Sequence, residues 1–178
     1  MMNWLVNSFG FLASFVLMFA VNVSASAQQN TFQSAEDIVR KLEKPHTFQG
    51  TSSGTRGGLT RNAVPRSRSI DLTINFEFDS DRVVLESKPQ LEALRDALQS
   101  SKLTQERFTI EGHTDAKGSA SYNFELSQRR ALAIVQFLKE SGVSDERLSW
   151  EGKGFSELKD TKNPESAVNR RVRIKANE

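Results

Sequence analysis

The residues able to do chemistry gather around one loop and the segment that follows it. Thr114 and Asp115 close a short apolar stretch, and Asn123, Ser127 and Arg130 follow at spacings of four and three. Positions three and four apart share one stripe of a helix, so these side chains project together. A carboxylate on the loop and a guanidinium on that stripe suit a zwitterion. Asp115 would take an ammonium, and Arg130 would hold a carboxylate in its bidentate fork. The same two groups can also close on each other as a salt bridge that braces the loop, and spacing alone leaves both readings open.

Other chemistries are less well supplied. Glu111, His113 and Asp115 alternate, so they could project together as metal ligands. The chain has only two histidines, and His46 lies in the N-terminal region. One imidazole with two carboxylates makes a poor zinc site. The expectation is no metal and no other cofactor, with His113 a hydrogen-bonding loop residue. No Gly-x-Ser-x-Gly elbow is present. Asp79 and Asp115 would have to flank a cleft to cleave a glycan, and a guanidinium beside Asp115 makes it a poor proton donor. The chain is therefore not expected to be an enzyme.

The elements that must position these groups can be read from periodicity. Ile70, Leu72, Ile74, Phe76 and Phe78 alternate with polar residues, a strand pattern with one buried face. Ser87-Lys88-Pro89-Gln90 reads as a helix start, with Ser87 as cap and Gln90 three residues on, and Leu91, Leu94 and Leu98 follow at helical spacing. Phe108 and Ile110 mark a second strand. A long helix is predicted from about Ser121 to Ser141, stopped by Gly142, with Phe124, Ala131, Val135 and Leu138 on one face. Leu148 and Trp150 mark a third strand, and Val172 and Ile174 a last one. The order β-α-β-α-β-β implies an α/β (α+β) sandwich with two main helices packed on one face of a small mixed sheet.

The charge is unevenly spread. Residues 1–27 carry no charged side chain, residues 28–68 carry seven Lys/Arg against three Asp/Glu, and residues 69–178 carry seventeen against nineteen. The folded part is thus no basic surface for nucleic acid. Leu5 to Val23 is an almost unbroken apolar run followed by Ala25-Ser26-Ala27. Residues 1–27 read as a cleaved signal peptide, the alternative being an uncleaved anchor through residues 5–23 that tethers the chain to a membrane. Either delivers the rest to the periplasm or envelope. Residues 28–68 read as a flexible basic linker with a short helix over Ala35–Leu42. The stretch 49–68, rich in Gly, Ser and Arg, is expected to act as a solvated spacer or as an arm for anionic lipid or polymer. The chain has no cysteine, so it offers neither a disulfide framework nor a thiol for lipid attachment.

Thr114-Asp115, ten residues, Leu126-Ser127, two residues, Arg130-Ala131, then Ile134 and Leu138 resembles the signature of the OmpA-like peptidoglycan-binding domain. Phe76-Glu77-Phe78-Asp79-Ser80 looks like that family's opening strand. Gly152-Lys153-Gly154 and Asn169-Arg170-Arg171-Val172 look like its closing motifs. The resemblance covers about residues 70–176. Ile134 departs from the family's usual valine, a change neutral for packing. The resemblance implies non-covalent binding of the diaminopimelate in the peptidoglycan stem peptide, with Asp115 and Arg130 on its two ends. Phe78 and Asp79 would line the pocket through backbone beside Thr114. Asn123, Leu126 and Ser127 would shape a helix wall, and Asn169 and Arg170 would sit at the rim. Neither a membrane barrel nor a flagellar stator subunit fits. The first needs many strands before residue 69, and the second needs an acid within the apolar run. The alternative partner is another envelope protein docked on the same domain.

Overall fold

The computed structural model describes residues 32–44 and 68–177. The apolar run, the Ala25–Ala27 triplet and residues 45–67 of the linker lie outside them, and among the described residues no helix is long and apolar enough to cross a membrane. The first element is helix α1, Ala35–Leu42. Ser34 caps it by accepting from the Asp37 N–H, and Glu36 and Asp37 in the first turn with Arg40 and Lys41 in the last match the helix dipole. Ile38 and Leu42 are wholly buried, so this helix belongs to the core.

Strand β1 is Ser69–Leu72, helix α2 Lys88–Gln99, strand β2 Phe108–His113, helix α3 Ala120–Glu140, strand β3 Leu148–Gly154 and strand β4 Arg171–Ala176. The sheet order is β1-β4-β2-β3. β2 and β3 run parallel, and β4 lies antiparallel between β1 and β2. Ile70, Leu72, Phe108, Ile110, Val172 and Ile174 meet Leu94, Leu98, Ala131, Ile134 and Leu138 in one core. Residues of the opposite parity, Asp71, Thr109, Glu111, Arg173 and Lys175, leave a polar face. This is the mixed α/β arrangement that the alternation implies.

Three local expectations need correction. The first strand ends at Leu72, because β4, its partner among the described residues, turns away before Arg171. The alternation runs on only as far as Ile74, which is buried. Phe76 instead bridges to Val83, and residues 75–84 fold back as a small hairpin, with the Val84 N–H on the Asn75 carbonyl and the Glu77 N–H on the Arg82 carbonyl. At its tip Phe78 is 100% exposed and Asp79 takes a left-handed φ of 52°, a conformation Asp tolerates.

At α2, Ser87 and Gln90 form no capping box. A 3-10 turn, Leu85–Ser87, leads into the helix, and the Ser87 hydroxyl accepts from the Asn75 N–H. Gln90 spends its amide on the backbone of Gln33, accepting its N–H and donating to its carbonyl at 2.9 and 3.0 Å, and so holds the segment before α1.

The third correction concerns α3. Phe124 is half exposed, and the buried stripe is Asn123, Leu126, Ser127, Ala131, Ile134, Val135 and Leu138. The cause is close approach of helix to sheet. A Cβ on Gly112 would fall 2.3 Å from the Ser127 carbonyl oxygen, and one on Gly152 would fall 2.6 Å from the Ser127 hydroxyl. Only a small side chain fits that gap, and a phenylalanine is pushed to the edge. The helix stops as expected at Gly142, where the Gly142 and Val143 N–H groups take the Lys139 and Leu138 carbonyls.

Candidate functional site

The loop after β2 is tied on both sides. The Thr114 N–H donates to the Gly154 carbonyl at 2.8 Å, and the Ala116 N–H donates to the Pro164 carbonyl at 3.0 Å. Asp115 between them is buried. Its Oδ1 accepts from the Lys117 N–H at 3.2 Å, and its Oδ2 accepts from Arg170 Nη1 at 2.7 Å. The ion pair that spacing suggested for Asp115 therefore forms with Arg170, at the start of β4, and not with Arg130.

Arg130 projects from α3 toward the 75–84 hairpin. Its Nε donates to the Ser80 carbonyl at 2.9 Å, and its guanidinium lies 4.8 Å above the centroid of the Phe76 ring. Its two terminal nitrogens have no hydrogen-bond partner among the described residues. Burial depresses its pKa, helped by the charges of Arg170 and Arg129. Arg130 and Arg170 both line a cavity of about 250 Å³, with Asn75 and Phe76 on one side and His113 and Arg171 on the other. A larger groove of about 550 Å³ lies between α1 and α2, where Lys102 Nζ pairs with Glu43 Oε2 at 3.1 Å.

A family model described as the OmpA family matches residues 75–172, a span that holds Asp115, Arg130, Arg170 and the hairpin. The chain belongs to the OmpA family. The peptidoglycan-associated lipoprotein of Pseudomonas aeruginosa is 31% identical over 169 residues, covering 94% of this chain and 96% of that protein. Outer membrane porin F of the same organism is 36% identical over 113 residues, covering 62% of this chain and 32% of the porin. The crystal structure of the peptidoglycan-associated lipoprotein from Burkholderia pseudomallei superposes with a TM-score of 0.50 at 26% identity, over 60% of this chain and 89% of that one. These relatives place this OmpA family member in the cell envelope.

Within this OmpA-family domain, several expected pocket residues serve the frame. Asn123 is buried and donates from Nδ2 to the Lys117 and Ser119 carbonyls at 2.6 and 3.1 Å, so it clamps the turn that carries Asp115. The Ser127 hydroxyl donates to the Phe124 carbonyl at 2.7 Å and accepts from the Gly154 N–H at 2.9 Å, riveting α3 to the end of β3. Leu126 is buried, and none of the three lines the cavity. The helix wall of the cavity is Arg130. Asn169 is not a rim group either. It is fully buried, accepts from the Asp160 N–H, and donates to the carbonyls of Asp160, Asn163 and Pro164. Phe78 and Asp79 do not line the cavity; the hairpin contributes the Ser80 carbonyl and the Phe76 ring. The alternation marks Phe76 as a buried position, whereas Ser80 enters only as the last residue of the opening motif, with no role of its own.

His113 also departs from expectation. It ends β2 as a buried residue, and neither ring nitrogen has a hydrogen-bond partner among the described residues. Burial, reinforced by Arg171 and Arg173, lowers its pKa to about 3, so the ring is neutral at physiological pH. The Thr114 hydroxyl is likewise buried without a partner among the described residues. The metal trio weighed above is divided. Glu111 and His113 come together with Glu157, their donor atoms within 4.8 Å, while Asp115 turns to Arg170. Arg173 Nη1 lies 3.1 Å from Glu157 Oε2 and 3.8 Å from Glu111 Oε2. A guanidinium already serves both carboxylates, and we assign no ion there.

Proposed function

We propose that this domain binds peptidoglycan non-covalently through the diaminopimelate of its stem peptide and anchors an envelope protein to the wall. The observation that carries this reading is the charge layout of one small cavity. Arg130 presents terminal donors without a partner among the described residues, and Arg170, on the same cavity, leads to the carboxylate of Asp115. The far end of diaminopimelate bears an ammonium and a carboxylate on one carbon, which are the complements of Asp115 and Arg130. The names of the lipoprotein relatives support peptidoglycan as the polymer that is bound. Binding of this kind needs no cofactor and no turnover. Delivery to the wall rests on residues 1–27 acting as a secretory signal.

The test is co-sedimentation of the full chain, in mild detergent, with purified diaminopimelate-type sacculi. Wild type is expected in the pellet. Asp115→Ala and Arg130→Ala are each expected to weaken binding about tenfold or more, the scale of a lost charge-assisted hydrogen bond. Thermal unfolding close to wild type would show that the variants are folded. If both variants pellet like wild type, the site assignment fails. If wild type stays in solution, docking of another envelope protein takes its place.

A further inference from the structure

The carboxylate of Asp115 does not await a ligand uncovered. Arg170 Nη1 holds its Oδ2 at 2.7 Å, and the Lys117 N–H occupies Oδ1. An ammonium approaching Asp115 must therefore compete with a guanidinium already in place. The two partners are unequal in mobility: the Arg170 side chain is 50% exposed and that of Asp115 is 10% exposed. Arg170 is the partner able to leave.

What happens to Arg170 on leaving is set by its surroundings. The cavity it lines also carries Arg130 and Arg171, and among the described residues no carboxylate lines it. Arg171 is committed elsewhere, donating to the Asn169 and Glu157 carbonyls. A ligand that brings only an ammonium takes Asp115 and leaves Arg170 beside Arg130 with no counterion, two like charges in a half-enclosed space. A ligand that brings a carboxylate with its ammonium replaces the lost counterion at once.

We propose that Arg170 is a displaceable internal counterion that makes the site select ligands carrying an ammonium and a carboxylate together over ligands carrying the ammonium alone. This rests on the stem-peptide reading given above and adds a specificity-determining residue to it. The discrimination has a direct chemical form. Lysine has the distal ammonium of diaminopimelate without the distal carboxylate. Arg170 in its resting place thus excludes a lysine-type stem peptide by charging it for an unpaired guanidinium.

The test is isothermal titration of the full chain with two tripeptides, L-Ala-γ-D-Glu-meso-diaminopimelate and L-Ala-γ-D-Glu-L-lysine. Wild type should prefer the first by about tenfold or more, the scale of one charge-assisted pair. In Arg170→Ala the lysine tripeptide should bind more tightly than it does to wild type, because Asp115 no longer has to be vacated, and the preference should fall by about threefold or more, the remainder coming from the distal carboxylate on Arg130. Arg170→Gln keeps an amide donor for Asp115 without the charge and should behave in the same way, which covers the case in which alanine destabilises the loop. If either folded variant keeps the full preference, or binds the lysine tripeptide more weakly than wild type, the inference about Arg170 is overturned while the stem-peptide reading stands. If wild type binds neither tripeptide, the reading itself falls and the inference with it.

Discussion

Asp115 and Arg130 stand out in the sequence because their types and their motif spacing are both visible there. The partner of Asp115 is not visible, because Arg170 lies 55 residues away and meets it only through the sheet order that sets β4 beside β2. Asn169 shows the same limit from the other side. Its motif position suggests a ligand contact, yet the hydrogen bonds of its Oδ1 and Nδ2 all go to the loop of residues 160–164. That loop supplies the Pro164 carbonyl to the Ala116 N–H, next to Asp115. Asn169→Ala should therefore cost about 2–3 kcal/mol of stability, because it removes every hydrogen bond that this fully buried side chain makes to the loop. It should also weaken sacculus binding without touching the ligand. Denaturant unfolding beside co-sedimentation checks this; wild-type stability in the variant would mean that the loop finds other partners.

At the scale of elements, the core strands and the two main helices follow from periodicity, and their misplaced ends have local causes. β1 stops where its partner strand turns away. The Ser87 hydroxyl is drawn to the Asn75 N–H and does not cap α2. Phe124 leaves the buried stripe because α3 lies too close to β2 and β3, a distance set by two glycines that no helix-face analysis registers. That closeness also aims Arg130, which leaves α3 one turn after Ser127. In Gly112→Ala the new methyl would meet the Ser127 backbone carbonyl at 2.3 Å, and neither side is a flexible side-chain end. The substitution should destabilise the domain by about 2–3 kcal/mol or more and lower its melting temperature by about 8 °C or more. Because the strain shifts α3, affinity for sacculi should fall as well. A variant that melts like wild type would show that helix and sheet can separate without cost.

For the whole molecule, pH is the variable that reaches every buried charge at once. Glu106 joins the N-terminal segment to the domain by pairing with Lys44 at 3.0 Å and Arg68 at 2.8 Å. Burial works to raise its pKa, but the hydrogen bonds from Arg68 and Lys44 outweigh it and hold the carboxyl low. Asp71 is held low in the same way, against burial, chiefly by Arg173 and Lys159. Both stay charged through mildly acid solution and lose their contribution only as pH falls through their lowered folded values. Burial raises Glu111, which acts in the opposite sense and favours the folded state as acid is added. His113 dominates between pH 6.5 and 5. Its folded pKa is about 3 against an ordinary 6.5, so below 6.5 the unfolded chain takes up a proton that the folded ring refuses. The stability present above pH 6.5 should thus be lost by about 1.4 kcal/mol per pH unit on the way down, or about 2 kcal/mol by pH 5. His113→Phe removes the titration and two unpaired buried nitrogens while keeping an aromatic ring. It should flatten the curve of unfolding free energy against pH in that window, whatever it does to the value at pH 7. A variant with the wild-type slope would move the acid sensitivity from His113 to the carboxylates.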